Sequence, residues 1–104
     1  MWVLEATDES VAGRVVFRAA AGAIKTIGRA TRADFILRAP LVSRFHCRIS
    51  ASEDSLDVVD LRSTNGTFVN GQRVTRATLR SGDRLAVGRV ELAVSRAAGS
   101  ADAT

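Results

Sequence analysis

Short runs of apolar residues, each interrupted after a few positions by glycine, asparagine or a charged residue, extend along most of the chain. Near the end, Val90, Leu92 and Val94 alternate with Glu91 and Ala93, which is the period-two pattern of a strand with one buried face. Further runs rich in β-branched and aromatic residues predict strands at Trp2–Leu4, Arg14–Arg18, Ile24–Ile27, Phe35–Leu37, Phe45–Ser50, Leu56–Asp60, Thr67–Val69, Gln72–Val74 and Arg84–Val87.

Turn signals separate these runs. Asn70-Gly71 lies between two predicted strands and is the strongest short hairpin signal, because a type I′ turn needs positive φ at both central residues. Asn65-Gly66 is a second turn site of this kind. Helix signals are weak: the alanine-rich segment 19–23 is short and broken by Gly22, so we interpret it as a loop. Many short strands separated by tight turns predict an all-β fold, either a sandwich or a barrel.

The length of 104 residues suits one domain and is too short for two. We predict a single domain over residues 1–97 and a flexible C-terminal tail over 98–104, where the residues are small and polar. No apolar run approaches the length needed to span a membrane, and the N-terminus lacks a basic region followed by an apolar block. We therefore expect a soluble, cytoplasmic domain with no membrane partner.

The chain is basic, with 15 Lys and Arg residues against 11 Asp and Glu and a formal charge of +4. Lys25 is the only lysine, so almost all of the positive charge is guanidinium, which suits bidentate recognition of phosphate or carboxylate. For most of these arginines, compositional bias is the better explanation. Charge alone permits nucleic acid, acidic lipid or phosphoprotein as a partner and does not choose among them.

Enzymatic chemistry has little support. The single histidine, His46, and the single cysteine, Cys47, are adjacent in a predicted strand, so their side chains should point to opposite faces and form no catalytic dyad. One cysteine excludes an intramolecular disulfide and a cysteine-based zinc site. No nucleotide-binding loop, cofactor motif or metal-ligand cluster is present. We predict a protein that is not an enzyme and that uses no cofactor or metal.

Three loop segments instead collect hydrogen-bond donors. Gly28-Arg29 ends one strand, Ser43-Arg44 precedes another, and residues 63–67 (Ser-Thr-Asn-Gly-Thr) link two strands. Together they offer two guanidinium groups, several hydroxyls, an amide and exposed backbone N–H groups, with no carboxylate among them. This inventory suits an oxyanion with several acceptor atoms, such as phosphate.

The same segments, in this order, resemble the forkhead-associated (FHA) domain family. The motifs are Gly28-Arg29, then Ser43-Arg44-Phe45-His46, then the stretch from Asp60 to Gly71. The resemblance covers about Ile27 to Val94. It implies a β-sandwich of two twisted, mainly antiparallel sheets whose loops at one end bind phosphothreonine peptides. It also implies Ser/Thr kinase signalling or phosphorylation-dependent assembly.

Carried over to this sequence, the resemblance assigns phosphopeptide binding to Arg29, Ser43, Arg44, Thr64 and Asn65. Arg29, Ser43 and Thr64 should contact the phosphate, Asn65 should hold the peptide main chain, and Arg44 should reach either of them. A structural role falls to Gly28 and Gly66, which should shape the loops, to His46, which should tie the loops to the scaffold, and to the Asn70-Gly71 turn.

The expected partner is a phosphothreonine-containing protein, or a phosphorylated segment of the parent protein itself. Leu41, in the loop before Ser43, should contact the peptide downstream of the phosphothreonine and favour an uncharged side chain there. The alternative is a basic β-module that binds nucleic acid or another polyanion. It is disfavoured because base stacking needs exposed aromatic residues, and the chain has only four Phe, one Trp and no Tyr.

Overall fold

A computed structural model of the protein describes residues 1–6 and 15–97, which form eleven strands and no helix. The strands are β1 (Trp2–Ala6), β2 (Val16–Ala19), β3 (Ile24–Gly28), β4 (Phe35–Ile36), β5 (Cys47–Ala51), β6 (Leu56–Asp60), β7 (Thr67–Val69), β8 (Gln72–Val74), β9 (Arg76–Leu79), β10 (Arg84–Val87) and β11 (Val90–Arg96).

The strands form two sheets. One has six strands in the order β2-β1-β11-β10-β7-β8, and the other has five in the order β4-β3-β5-β6-β9. Neighbouring strands of these sheets are antiparallel except β3 with β4, which are parallel. The predicted all-β sandwich of mainly antiparallel sheets is therefore confirmed.

The core lies between the inward faces of the two sheets, as the period-two patterns require. In β11, Val90, Leu92 and Val94 are buried, and Leu92 pairs directly with Leu85 of β10. Trp2 is also buried. Its indole Nε1–H donates to the Ser52 carbonyl at 2.7 Å, so the one polar atom of the side chain has a partner inside the protein. The five-stranded sheet contributes the same kind of face with Ile27, Ile49, Leu56, Val58 and Leu79.

Some predicted strand boundaries were wrong. The strand predicted at 45–50 begins two residues later, at Cys47, and the one predicted at 35–37 ends at Ile36. Arg14 and the predicted tail 98–104 lie outside the described residues. Strand β9 was not predicted, because only Ala77 and Leu79 are apolar in it and an edge strand carries a weak pattern.

The predicted hairpin at Asn70-Gly71 is confirmed, since both residues have positive φ, 51° and 83°, and they join β7 to β8. The Asn70 side chain also fastens this turn to β10, accepting from Arg84 N–H at 2.9 Å and donating to Asp83 at 3.2 Å. Asn65-Gly66 is a different kind of turn, because only Gly66 there has positive φ.

The strand registers bring several loops to one end of the sandwich. Ile27, near the end of β3, pairs with Cys47 at the start of β5, and Cys47 pairs with Asp60 at the end of β6. In the other sheet, Thr67 at the start of β7 pairs with Val87 at the end of β10. We call the connections that follow or precede these ends, residues 29–34, 37–46, 61–66 and 88–89, the loop cluster.

No helix long and apolar enough to cross a membrane occurs in the described part of the chain.

We expect Leu92→Ala to lower the free energy of unfolding by about 2–5 kcal/mol, because it leaves a cavity opposite Leu85 in the centre of the core. The exposed Ser95, on the same strand, is the matched control, and Ser95→Ala should change stability by less than about 0.5 kcal/mol. Urea denaturation followed by circular dichroism measures both. Equal stabilities of the two variants would contradict the described packing.

Candidate functional site

The loops after β3 and before β5 are held together by their backbones. Arg29 N–H donates to the Ser43 carbonyl at 2.9 Å, and Ala30 N–H donates to the Arg44 carbonyl at 3.1 Å. Gly28 makes this approach possible, because a Cβ atom at that position would lie 1.9 Å from the Arg44 carbonyl oxygen. Its φ is not positive, so Gly28 is required by space and not by backbone conformation.

His46 joins two parts of the loop cluster from inside. The imidazole is fully buried, Ser43 N–H donates to its Nδ1 at 3.0 Å, and its Nε2 lies 2.7 Å from the Gly66 carbonyl. Because Nδ1 accepts a hydrogen bond, the ring is the neutral tautomer with its proton on Nε2, which donates to Gly66. His46 lies just before β5, so the predicted strand position was wrong by one residue.

The environment of His46 favours this neutral form. Burial lowers the pKa of the imidazole below its usual value, against weaker opposing effects of the Gly66 hydrogen bond and the charge of Asp60. A second proton on Nδ1 would also face the Ser43 N–H and break that hydrogen bond. Protonation of His46 therefore opposes the arrangement of the loops.

Ser43 and Thr64 are brought together across the loop cluster. Thr64 N–H donates to the Ser43 Oγ at 3.0 Å, although the two residues are 21 positions apart in sequence. With its oxygen accepting from Thr64, the Ser43 hydroxyl keeps its own proton for donation to a third group. The Thr64 side chain is exposed, and its hydroxyl has no hydrogen bond to another described residue.

Arg29 is exposed but anchored. Its Nε–H donates to the Val42 carbonyl at 3.0 Å, one residue before Ser43. This contact fixes one edge of the guanidinium and leaves both terminal NH₂ groups without a partner among the described residues. The side chain is thus held in place while four N–H donors stay available.

Asn65 and Leu41 border the Ser43–Thr64 contact. Asn65 Nδ2 donates to the Leu41 carbonyl at 3.1 Å, which leaves the Oδ1 atom and one N–H of an exposed amide. The same Leu41 carbonyl lies close to Gly88, where a Cβ atom would be 2.5 Å away. Leu41 itself is half-buried beside Arg89 and Val90.

Arg44 differs from Arg29 in that nothing anchors it. Its carbonyl accepts from Ala30, but its exposed guanidinium has no hydrogen bond or ion pair with a described residue. It lines a separate cleft with Ala30, Thr31, Arg32 and Phe45.

Asp60, Ser63 and Thr67 organise the loop 61–66. Sequence reasoning gave Asp60 no role and counted the Ser63 and Thr67 hydroxyls among the donors open to an anion, but both of these hydroxyls donate to Asp60. Asp60 accepts from Ser63 N–H at 3.1 Å, from the Ser63 hydroxyl at 2.5 Å and from the Thr67 hydroxyl at 2.7 Å. Partial burial works to raise the pKa of Asp60, but these hydrogen bonds outweigh it and hold the pKa below its usual value. The signal was the spacing of Asp60 and Ser63, which is typical of an acidic side chain that caps a turn.

This network supports an uncommon backbone conformation. Arg62 has a φ of 58°, the left-handed region that side chains other than glycine, asparagine and aspartate rarely adopt. Gly66, at the other end of the loop, has a φ of 94°; its N–H donates to the Ser63 hydroxyl and its carbonyl accepts from both His46 and Gly88.

The buried thiol of Cys47 takes no part in the loop cluster. Burial raises its pKa to about 12, and the charge of Asp60 acts in the same direction. A thiol that stays protonated at neutral pH is a poor nucleophile. Among the described residues, no group of three or more His, Cys, Asp or Glu side chains could hold a metal ion.

The structure therefore brings Arg29, Ser43, Thr64 and Asn65 to one end of the sandwich, linked by hydrogen bonds through Val42 and Leu41. The groups left free there are mainly donors. Among the described residues of these loops and strand ends, Asp60 already accepts three hydrogen bonds and Asp34 accepts two from Thr26. Such a site can bind an anion with several acceptor atoms.

Comparisons with family models and with solved structures point to the same family. The family model described as FHA domain matches residues 25–88. Over 80 residues the chain is 39% identical to an ABC transporter ATP-binding/permease protein of Mycobacterium tuberculosis, covering 77% of this chain and 9% of that protein. Over 70 residues it is 37% identical to the glycogen accumulation regulator GarA of Mycobacterium tuberculosis, covering 67% of this chain and 43% of GarA. The chain thus spans less than half the length of either relative.

Among solved structures, one from a structural and functional analysis of phosphothreonine-dependent FHA domain interactions superposes with a TM-score of 0.81. The two sequences are 32% identical, and the match covers 92% of this chain and 96% of that one.

We expect the free energy of unfolding to fall as pH drops below about 6.5. The unfolded chain takes up a proton at its histidine near that pH, whereas the folded state resists protonation of His46, so the unfolded state binds more protons. The contribution of neutral His46 to the free energy of unfolding is fully present above about pH 6.5. It is lost as the pH falls toward the lower pKa that His46 has in the folded state. His46 is the only histidine, so His46→Ala should remove this loss between pH 7.5 and 5.5.

The same variant should be less stable than the parent at pH 7.5 by at least about 2 kcal/mol, since two buried backbone groups lose their partners. Chemical denaturation at several pH values measures both effects. If the variant does not fold, the imidazole signals of the parent protein in an NMR titration replace it. An imidazole that titrates at or above pH 6.5 in the folded protein would contradict the buried neutral ring.

We expect Gly28→Ala to destabilise the domain and separate the loops at Arg29 and Ser43, because the new methyl group overlaps the Arg44 carbonyl. Gly71→Ala is the matched control: Gly71 has positive φ, but a Cβ added there would meet no atom within 4 Å, so the cost should be about 1 kcal/mol of backbone strain. Only the first variant should change the amide NMR shifts of residues 29–30 and 43–46. Similar spectra for both variants would exclude the close approach at Gly28.

Proposed function

This chain belongs to the FHA domain family, and we propose that its loop cluster binds phosphothreonine in a partner protein without catalysing a reaction. The observation that carries the proposal is the pairing of an anchored Arg29 with the Ser43–Thr64 contact. The Arg29 guanidinium is fixed by Val42, and the Ser43 oxygen is occupied by Thr64 N–H, so their remaining N–H and O–H groups stay available to a ligand.

The chemistry of the free groups fits a phosphate monoester. A phosphorylated threonine carries a charge of about −1.5 to −2 and three strong acceptor oxygens near neutral pH. Arg29 would supply two charge-assisted donors, and the hydroxyls of Ser43 and Thr64 would supply one each. Arg29 and the Ser43 oxygen are held in place before a ligand arrives, so these two side chains lose little entropy on binding.

The same groups explain discrimination against an unphosphorylated peptide. A threonine hydroxyl can satisfy only one or two of the donors, which leaves the Arg29 charge without a partner at the interface. Asn65 would hold the peptide main chain with its free N–H and its oxygen. Arg44 would contact the peptide or the phosphate from the cleft that it lines with Phe45. A preference for threonine over serine, through the extra methyl group, belongs to the proposal and rests on the family resemblance.

Nucleic-acid binding is less well supported by the distribution of aromatic side chains. Trp2 is buried, and Phe17, Phe35 and Phe68 are half-buried, with the rings of Phe17 and Phe35 stacked at 4.7 Å. Phe45 alone is exposed among the five aromatic residues of the chain. A single exposed ring is no platform for stacking successive bases.

The proposed partner implies a Ser/Thr kinase that phosphorylates it, and we place this recognition in the cytoplasm. The phosphorylated segment can belong to a separate protein or to the parent protein of this chain, since the same groups would bind either. Comparison supports the recognition step, since a solved structure 32% identical to this chain comes from work on phosphothreonine-dependent FHA domain interactions.

We expect Arg29→Ala to weaken binding of a phosphothreonine peptide by about 10- to 150-fold, the equivalent of losing a charge-assisted hydrogen bond worth about 1.5–3 kcal/mol. Arg80→Ala is the matched control. Arg80 is an exposed arginine that follows β9, whose last residue, Leu79, pairs with Leu56 at the end of β6 opposite to Asp60. The Arg80→Ala protein should bind the phosphothreonine peptide as tightly as the parent protein does. Isothermal titration calorimetry measures the affinities, and circular dichroism checks the folding.

Four ligands test the specificity in the same assay. The phosphothreonine peptide should bind most tightly, the phosphoserine peptide more weakly, and the glutamate and unphosphorylated peptides hardly at all, because a planar carboxylate has fewer acceptors in a different geometry. Random duplex DNA should bind weakly and lose its affinity steeply with added salt. Equal affinity of a folded Arg29→Ala protein, or tighter binding of DNA than of the phosphothreonine peptide, would overturn the proposal.

A further inference from the structure

A second concave surface in the loop cluster is lined by residues that directly follow Arg29 and Ser43 in the sequence. The cleft has a volume of about 370 Å³ and is lined by residues of two connections in the loop cluster: Ala30, Thr31 and Arg32 from the first, and Arg44 and Phe45 from the second. The hydrogen bond from Ala30 N–H to the Arg44 carbonyl fixes the two connections relative to each other. We call this surface the Arg32–Arg44 cleft.

Neither arginine of the cleft has a partner among the described residues. Arg32 and Arg44 are exposed, and neither guanidinium has a hydrogen bond or ion pair within the part of the chain that the structure describes. Other arginines do pair with carboxylates, as Arg84 with Glu91 at 3.1 Å and Arg96 with Asp54 at 3.4 Å. The cleft thus has two positive charges that no described acidic group neutralises.

The only acidic residue near the cleft in sequence is already engaged. Between Lys25 and Ser52 the chain has a single carboxylate, Asp34. Its Oδ2 accepts from the Thr26 N–H at 2.9 Å and from the Thr26 hydroxyl at 3.1 Å, and these hydrogen bonds lower the pKa of Asp34. Asp34 therefore faces β3 and forms no ion pair with Arg32.

The cleft also contains an apolar surface. Phe45 is 43% exposed and is one of three large hydrophobic side chains exposed among the described residues, with Met1 and Ile24. A ring beside two guanidinium groups suits a side chain that combines an aliphatic stem with a terminal anion. Glutamate has this composition, and a phosphorylated residue offers a terminal anion of higher charge.

We propose that the Arg32–Arg44 cleft is an anion subsite that binds an acidic side chain of the same phosphopeptide, on one side of the phosphothreonine. The inference rests on the proposed function, because the phosphothreonine at Arg29, Ser43 and Thr64 positions the peptide. Arg29 and Arg32 are three residues apart in one connection, and Ser43 and Arg44 are neighbours in the other. A ligand that reaches Ser43 is therefore adjacent to the cleft.

The test compares phosphothreonine peptides that differ at one flanking position. Each carries the phosphothreonine at the centre of nine residues, alanine elsewhere, and either glutamate or its uncharged isostere glutamine at one position in turn. We expect glutamate to bind about two- to fivefold more tightly than glutamine, the range of an exposed ion pair, on one side of the phosphothreonine only. The preference should shrink as the salt concentration rises.

Variants of Arg32 assign the preference to the cleft. Arg32→Ala should reduce the glutamate-to-glutamine affinity ratio toward one while leaving the affinity for the glutamine peptides unchanged. Arg32→Lys should keep part of the ratio, because it retains the charge without the bidentate geometry. Arg80→Ala, at the opposite end of the sandwich, should keep all of it. A peptide with phosphoserine in place of glutamate shows whether a carboxylate or a second phosphate is the better occupant.

The outcomes separate the two proposals. If no phosphothreonine peptide binds the parent protein, the proposed function fails. If the glutamine peptides bind but glutamate and phosphoserine give no gain at any position, only the anion subsite is overturned. A gain that persists undiminished in a folded Arg32→Ala protein would also overturn it, since the anion would then be bound elsewhere.

Discussion

The arrangement of the loop cluster depends on the buried imidazole of His46. It accepts from Ser43 N–H and donates to the Gly66 carbonyl, so one ring fixes two loops that are about twenty residues apart in sequence. Both partners are backbone groups, and leaving either without a hydrogen bond inside the protein would cost about 1–3 kcal/mol. The ring is neutral because burial disfavours its charged form. Ser43 and the segment before β7 therefore keep a fixed separation, and the Ser43–Thr64 contact follows from it.

The division between occupied and free hydrogen-bond groups gives the site its chemistry. Val42 and Leu41 supply carbonyls that orient Arg29 and Asn65, whereas the outward N–H groups of these side chains stay free. The Asp60 carboxylate shapes the loop 61–66 by accepting three hydrogen bonds from Ser63 and Thr67. Its oxygens are therefore already engaged within the protein. An anion approaching the loop end thus meets donors that are already positioned and no free carboxylate at these positions. This is the electrostatic arrangement that recognition of a doubly charged group requires.

Much of the fold could be predicted from the sequence, because period-two alternation and the Asn70-Gly71 turn are local signals. The family motifs also predicted which residues gather at one end. The reasons for their positions could not be predicted locally. Gly28 is required because the Arg44 carbonyl lies against it, and that contact joins residues sixteen positions apart. Strand β9 was missed because pairing with β6, and not its own weak apolar pattern, makes it a strand.

The loop 61–66 runs from β6 in the five-stranded sheet to β7 in the six-stranded sheet, so the site spans the boundary between the two layers of the sandwich. A ligand held by Arg29 and Ser43 on one side and Thr64 on the other would act as a reversible cross-link between the layers. Because it binds only the folded form, a ligand at a hundred times its dissociation constant would add about 2.7 kcal/mol to the unfolding free energy. Local separation of the sheets at this end would be suppressed to the same extent, and slower amide hydrogen exchange at the start of β5 and of β7 would record the occupied state.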